Sequence, residues 1–228
     1  MKHLILIIAF FYSSDLAAQF RTDSLKHAPS TFDERLFWDI NHLSDTSSAL
    51  DKTMLVASNS VLPLAIATPI SFMAYGIGKH DAQATYDGFT IGAATATTIV
   101  FQELLVKQLV RRERPFRVIE DTRWIDSGVH GFSFPSSHSA ISFGLATALS
   151  LRYPYWYVVA PSYLYAAIVT FSRPYLGVHF PTDILAGAII GSLIQYAAYR
   201  IEYTTAAPGF IRDLSSSPMT MAFSVPIK

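Results

Sequence analysis

The sequence predicts an all-α protein: a compact bundle of about six helices, five of them membrane-embedded. Three observations carry that prediction. Hydrophobic residues make up 51% of the 228-residue chain and charged residues only 15%, well below the roughly 25% charged usual for soluble domains. Mean hydropathy is positive, at +0.31. Five apolar segments follow one another between residues 53 and 199. Such a chain has ample apolar surface to offset the entropy of ordering, which excludes disorder, and its length suits one domain with appended ends.

Residues 1–19 carry Lys2, an apolar run over 4–12, and small residues at Ala17 and Ala18. The run is too short for a bilayer, which takes about 20 residues. It fits the apolar region of a secretory signal, with Leu16 where a small residue is preferred at the cleavage site. An uncleaved anchor is the alternative, and either way the chain is exported or inserted. In residues 20–52, charges punctuate a few apolar positions. Leu36, Phe37, Ile40 and Leu43 recur at helical spacing. An amphipathic helix at the interface and a solvated helix packed on the domain explain that pattern equally well.

The bundle itself occupies residues 53–200. The first segment, 53–78, holds no charged residue and is bent by Pro63 and Pro69. The second covers 88–106 with Glu103 late in it, and the third, 139–151, stops at Arg152 and Pro154. The fourth, 155–171, is rich in Tyr and Val; the fifth, 184–199, is rich in Ala, Ile and Gly. The third and fifth are short for independent spans, and runs of that length also occur as buried core helices. Gly187, Ala188, Gly191 and Ser192 suit close helix packing. Tyr153, Tyr155, Trp156 and Tyr157 fit an interfacial aromatic cluster. Residues 201–228, with Pro208, Gly209, three consecutive serines and Pro218, read as a loose tail.

Parity then assigns sides. With a cleaved signal, the mature N-terminus starts outside a bacterial inner membrane. The connections after the second and fourth segments then share the outer, periplasmic face. The first of them carries Lys107, Arg111, Arg112, Arg114, Arg117 and Arg123, against the positive-inside preference. Cations facing an anionic ligand override that preference.

Composition excludes several classes. Lys plus Arg equals Asp plus Glu, at 17 each, so no global field recruits nucleic acid. Cysteine is absent, which removes disulfides, thiolate metal sites and a cysteine nucleophile.

Three clusters hold the chemistry. Residues 107–115 place Lys107, Arg111, Arg112 and Arg114 beside Glu113. A helix dipole explains one or two such cations, not four. Lys107 and Arg111 would share a helix face at i, i+4, where like charges repel unless a ligand neutralises them. Next comes Phe134-Pro135-Ser136-Ser137-His138. Ser136 reads as an N-cap, and the free N–H groups of the following turn make an anion cradle beside His138. An ordinary capped helix with a surface histidine is the plain alternative. Third, Ser172-Arg173-Pro174 is followed by His179 and by Asp183 four residues later. Pro181 between them favours a first-turn geometry, in which an aspartate fixes the tautomer and orientation of the ring. A surface His–Asp pair near a cap reads the same. His138, His179 and Asp183 could form a zinc or iron site, but Lys107, Arg114 and Arg173 would repel the cation. Those same groups favour phosphate. The site calls for an anion and no metal.

These residues resemble the type-2 phosphatidic acid phosphatase family, which shares its core with bacterial class A acid phosphatases and vanadium haloperoxidases. The family's signature is Lys-x6-Arg-Pro, Pro-Ser-Gly-His and Ser-Arg-x5-His-x3-Asp. The chain shows Lys107-x6-Arg114-Pro115, Pro135-Ser136-Ser137-His138, and Ser172-Arg173-x5-His179-x3-Asp183, and only Ser137 departs, from glycine. Serine keeps the backbone N–H but restricts how closely the loop approaches phosphate.

The resemblance covers residues 50–200 and implies a phosphohydrolase without metal or cofactor. His179 is then the nucleophile, Asp183 its orienting partner and His138 the general acid and base. Lys107, Arg114, Arg173, Ser136 and the N–H groups near Ser137 and His138 hold the phosphate oxygens. The expected substrate is a phosphorylated or diphosphorylated lipid in the bilayer. A soluble periplasmic acid phosphatase with the same site is the nearest alternative. A vanadium-dependent haloperoxidase and a non-catalytic lipid-phosphate-binding membrane protein are the others.

Overall fold

In a computed structural model of the chain, residues 26–44 and 48–205 are described. The expected signal at 1–19 lies outside them, as does the expected tail at 201–228 except for residues 201–205, which are not loose but continue the last helix. The described residues form helices, joined by short connections apart from a long one over 119–136, with an isolated backbone bridge between His27 and Ile119. The all-α expectation holds.

Helix α1, Phe32–Asn41, starts at a capping box: Thr31 accepts from the Glu34 N–H while Glu34 reaches back to the Thr31 N–H. The helix packs on the domain. Phe37 is fully buried against Phe180 and Ile119, while Leu36 and Leu43 stay exposed.

Helices α2 (Ser48–Asn59) and α3 (Val61–Lys79) meet at Ser60 and together form the first apolar segment. His80, in the left-handed conformation, ends α3, and Asp81 caps α4, Ala82–Phe101. A π-helical stretch, Gln102–Val106, continues α4 into the short α5, Lys107–Val110. Then come α6 (Pro115–Val118), α7 (Ser137–Arg152), α8 (Trp156–Tyr175) and α9 (Pro181–Thr205).

Helix α7 is the centre. Nine of its sixteen residues are buried, and it packs on α4, α8 and most closely on α9. Val61, Ala65, Ile91, Ile141, Leu145, Ala148 and Val169 bring α3, α4, α7 and α8 into one core. The outer faces are apolar too: Leu62, Ile70, Phe89, Leu104, Leu185, Ile189 and Leu193 are all exposed. A bundle apolar on both its inner and outer surfaces has a lipid exterior.

Three segments are long and apolar enough to cross a membrane among the described residues: Ala49–Lys79, Ala82–Val118 and Pro181–Glu202. The other two expected segments differ for a physical reason. Helix α7 is short and surrounded by protein, and α8 carries Arg173 and several tyrosines. At the start of α8, Tyr155, Trp156 and Tyr157 are exposed, as an interfacial cluster requires.

The contact between α7 and α9 depends on glycine. A Cβ on Gly191 would lie 1.9 Å from the Ala140 carbonyl oxygen, and one on Gly187 would lie 2.3 Å from that of Ser136. Both neighbours are backbone and cannot rotate away. Gly191→Val should therefore push the helices apart and cost about 3 kcal/mol, read as a lower thermal midpoint in detergent. An unchanged midpoint would refute the close approach.

The opposite end of the bundle from α1 is tied by charge. Arg152 on α7 pairs with Asp87 on α4 at 3.0 Å and with Glu202 on α9. Buried ions in a membrane bundle are retained when paired in this way.

Candidate active site

The three sequence clusters meet at one end of the bundle, and local structure explains how. The basic run ends α5: Val110 is its last residue and Arg111 takes the left-handed conformation (φ 49). Lys107 and Arg111 therefore do not share a helix face. Arg111 is exposed, with its Nε on the Gln108 carbonyl. Lys107 is instead buried and pairs with Glu103 at 2.6 Å. Glu103 lies within the π-helical turn, which ends just before Lys107; such turns insert an extra residue into a helix and recur at functional sites.

Arg114, the N-cap residue of α6, is buried and points the other way. Its guanidinium donates to the carbonyls of Gly131 (3.0 Å), Val178 (2.9 Å) and His130 (2.9 Å). Those carbonyls hold the fork rigid.

Ser136 caps α7, as its sequence predicts, accepting from the Ser139 N–H. Its own N–H donates to the Asp183 carbonyl at 3.0 Å, which fastens the start of α7 to the start of α9. Ser137 turns its hydroxyl onto Glu103 Oε1 at 2.7 Å. The side chain that replaces the expected glycine is thus tied to the carboxylate that also holds Lys107. His138 follows in the first turn, within electrostatic range of Arg173, His179, Lys107 and Arg114.

Arg173 sits in the last turn of α8, fully buried. Nη1 donates to Asp126 Oδ2 at 3.2 Å and to the Ser58 hydroxyl. Nε and Nη2 are buried and have no hydrogen-bond partner among the described residues. Those two atoms form the side-on edge of a guanidinium, the edge that grips two oxygens of one oxyanion.

His179 lies in the connection between α8 and α9, and Pro181 at the first position of α9 gives the predicted first-turn geometry. Asp183 Oδ2 is 3.6 Å from His179 Nδ1, and Arg114 Nη1 is 3.1 Å from His179 Nε2. An arginine is always a donor, so Nε2 must accept. In the neutral ring the proton is then on Nδ1, facing Asp183. Sequence alone leaves the His179 charge open, because Asp183 and the cations pull in opposite directions. Burial, then the charges of Arg114, Arg173 and Lys107, hold the ring well below the ordinary imidazole value of 6.5. The result is a buried, neutral imidazole with a lone pair on Nε2 among three cations.

All eight sequence-predicted residues therefore gather at this end. Sequence reasoning gives Glu103, Ser58, Asp126 and Asp33 no part in the site, and it sets Arg112 among the cations facing the anion, whereas Arg112 binds Asp183 and Asp33. Only Glu103 leaves a readable signal, four residues before Lys107. Tyr175 and Phe180 are core, and Trp124 stacks on Phe116.

The PAP2 superfamily matches residues 87–206, just over half of the chain and all three clusters. The chain belongs to the PAP2 superfamily. Among its curated relatives, the undecaprenyl-diphosphatase of Sulfolobus acidocaldarius is 32% identical over 117 residues, 51% of this chain and 56% of that protein. The lipid A 4'-phosphatase of Bacteroides thetaiotaomicron is 37% identical over 123 residues, 50% and 55% of the two chains. The match thus spans about half the length of these relatives. In fold, the chain is similar to the crystal structure of a transmembrane PAP2-type phosphatidylglycerolphosphate phosphatase from Bacillus subtilis. The TM-score is 0.61 at 23% identity, covering 90% of this chain and 98% of that one.

Proposed function

We propose that this PAP2 protein is a lipid phosphate phosphatase. It removes phosphate from a phosphorylated or diphosphorylated membrane lipid, through a phosphohistidine and without a metal. One observation carries the reading: the lone pair of a neutral His179 and the unpartnered side-on edge of Arg173 lie in one buried, cationic site.

The lipid phosphate binds with its oxygens toward Arg173, Arg114, Lys107, the Ser136 hydroxyl and the N–H groups of the first turn of α7. A phosphate oxygen takes over the Arg114 Nη1 hydrogen bond from Nε2, which frees the lone pair while the guanidinium stays on its three carbonyls. Nε2 attacks phosphorus, the P–N bond forms, and the bond to the lipid oxygen breaks. Burial, then the charges of Arg173, Lys107 and Arg114, hold His138 down to about 2; the negative phosphate offsets those charges, so His138 takes up a proton as the lipid binds and gives it to that oxygen. Asp183 stabilises the Nδ1–H as positive charge develops on the ring. His138 then takes a proton from water, the hydroxide attacks phosphorus, the P–N bond breaks and phosphate leaves. Charge stabilisation by the fixed cations supplies much of the rate.

The names of the relatives make undecaprenyl diphosphate and lipid A the first substrates to try, with phosphatidic acid and phosphatidylglycerophosphate beside them. The lipid-facing exterior of the bundle favours the membrane enzyme over a soluble acid phosphatase with the same site. The parity of the segments supports a periplasmic active site in a bacterial inner membrane.

The test is phosphate release by the purified full-length chain across those four lipids in mixed micelles. Release from at least one of them without added metal is expected, and spheroplasts should hydrolyse substrate added outside. Failure on all four lipids, or a strict requirement for a divalent cation, would overturn the reading.

A further inference from the structure

Beyond the aspartate that faces His179 lies a second layer of polar contacts. It reaches outside residues 87–206, into helix α1. Asp183 is completely buried, and both its carboxylate oxygens are engaged. Oδ2 accepts from the Phe180 N–H at 2.8 Å, and Oδ1 accepts from Arg112 Nη1 at 2.7 Å.

Arg112 is itself fixed on three sides. Nη1 also donates to the Thr182 hydroxyl at 2.6 Å, and Nη2 donates to Asp33 Oδ2 at 2.6 Å. The guanidinium carbon stands 4.0 Å from the centre of the Phe180 ring. Asp33 lies in the first turn of α1 and does more than hold Arg112. Its Oδ1 accepts from the Thr182 N–H at 3.0 Å, and its Oδ2 accepts from the Thr182 hydroxyl at 2.6 Å. An otherwise free N–H of the α9 N-terminus is thereby capped from a distant part of the chain.

Helix α1 is stapled down at its other end as well. The buried Asn41 side chain donates to the carbonyls of Arg123 (3.1 Å), Pro174 (3.3 Å) and Tyr175 (2.9 Å), and accepts from the Arg123 N–H at 2.8 Å. Asp33 and Arg112 are therefore held in register with the His179 connection from both sides.

From this geometry we propose that Arg112, seated by Asp33, is a positioning residue. It sets the Asp183 carboxylate against His179 Nδ1, so that α1 forms part of the active-site framework. The proposal rests on His179 being the nucleophile. An arginine fork suits the task because two of its nitrogens can bind two carboxylates at once, Asp183 and Asp33, in one plane. A lysine, a point charge, cannot hold both in fixed geometry. A misplacement of about 1 Å near reacting atoms costs on the order of 10²-fold in rate.

Several charged groups surround the ring whose protonation is the readout. They are Lys107 on α5, Arg114 at the start of α6, His138 on α7, Arg173 on α8 and Asp183 on α9, with Glu103 behind Lys107. Arg112 and Asp33 stand beyond Asp183.

The test uses the full-length chain in detergent and three variants: Arg112→Gln, Arg112→Lys and Asp33→Asn. In Arg112→Gln, kcat should fall about 10²-fold with KM within about threefold, because Arg112 touches Asp183 and not the lipid phosphate. The pH at which the His179 ring titrates, followed by its nitrogen NMR shifts, should rise, because a nearby positive charge has gone. Arg112→Lys should restore that titration but recover kcat only in part. Asp33→Asn, nearly isosteric, should lower kcat about tenfold with KM unchanged. A merely structural role for these residues would lower the thermal midpoint without moving the titration.

Wild-type kcat in both Arg112→Gln and Asp33→Asn would overturn the proposal, as would an unmoved titration in Arg112→Gln. If Arg112→Gln does not fold, Arg112→Lys and Asp33→Asn decide it. The titration needs no turnover, so it reports on Arg112 even if the wild-type chain releases no phosphate. That last result would refute the phosphatase reading alone.

Discussion

His179→Ala is expected to reduce phosphate release from every lipid substrate by about 10⁴- to 10⁶-fold, the loss seen when a covalent nucleophile is removed. The expectation follows from the ring's own contacts. Nδ1 faces Asp183, so only Nε2 can attack, and Nε2 sits among Arg114, Arg173 and Lys107. His138 meets the same cations from the first turn of α7, but only His179 has an aspartate facing its Nδ1. His138→Ala gives a different signature. With p-nitrophenyl phosphate, whose leaving group needs no proton, P–N formation should survive and hydrolysis of the phosphohistidine should slow. An acid-labile, base-stable phosphoprotein should then accumulate in His138→Ala and be absent in His179→Ala. Turnover by His179→Ala within tenfold of wild type would end the mechanism.

The same ring has a consequence in acid. Its folded titration lies well below 6.5, so the unfolded chain binds a proton that the folded chain refuses. Stability from this group is present in full above about pH 6.5 and is lost as pH falls toward the folded value. Chemical denaturation of wild type should weaken over that range, and His179→Ala should flatten the dependence. The neutral ring is also the reactive form, so mild acid does not by itself switch off the nucleophile. The acid limb of kcat then belongs to other groups.

The sequence discloses this site unevenly, and the reasons are local. Ser136 as a cap, Pro181 at the first position of α9 and the His179–Asp183 spacing are governed by neighbours a few residues apart. Rules of helix termini therefore reach them. The five apolar segments are legible because burial and lipid exposure both demand apolar side chains. What stays hidden is set by approach across the bundle. Asp33 and Arg112 are 79 residues apart, and nothing periodic links them. Arg111 shares a face with Lys107 only if the helix continues, and the helix ends at Val110. Glu103 read as an interruption of an apolar run, yet it ties Lys107 and Ser137 together. A charge within a membrane segment marks a function more often than a flaw.

Arg173→Lys separates charge from geometry and should be the most damaging conservative change in the protein. The native guanidinium divides its labour. Nη1 is anchored on Asp126 and Ser58, while the Nε and Nη2 edge stays unpartnered at the site. Anchoring one nitrogen fixes the plane of the other two, so the fork is arranged for two phosphate oxygens before substrate arrives. Lysine keeps the positive charge but has a single nitrogen, which cannot hold Asp126 and grip phosphate together. Loss of a preorganised donor to a reacting oxyanion costs about 10²- to 10³-fold. That loss should fall mainly on kcat, because the grip tightens as charge builds on the transferring phosphoryl group. Arg173→Ala should lose more and also lower the thermal midpoint, since Asp126 is left without its cation. Arg111→Gly, at an exposed left-handed position beside the same site, is the control and should retain wild-type kcat. Should Arg173→Lys keep kcat within threefold of wild type, the side-on edge would have no part in holding the transition state, and charge alone would account for the site.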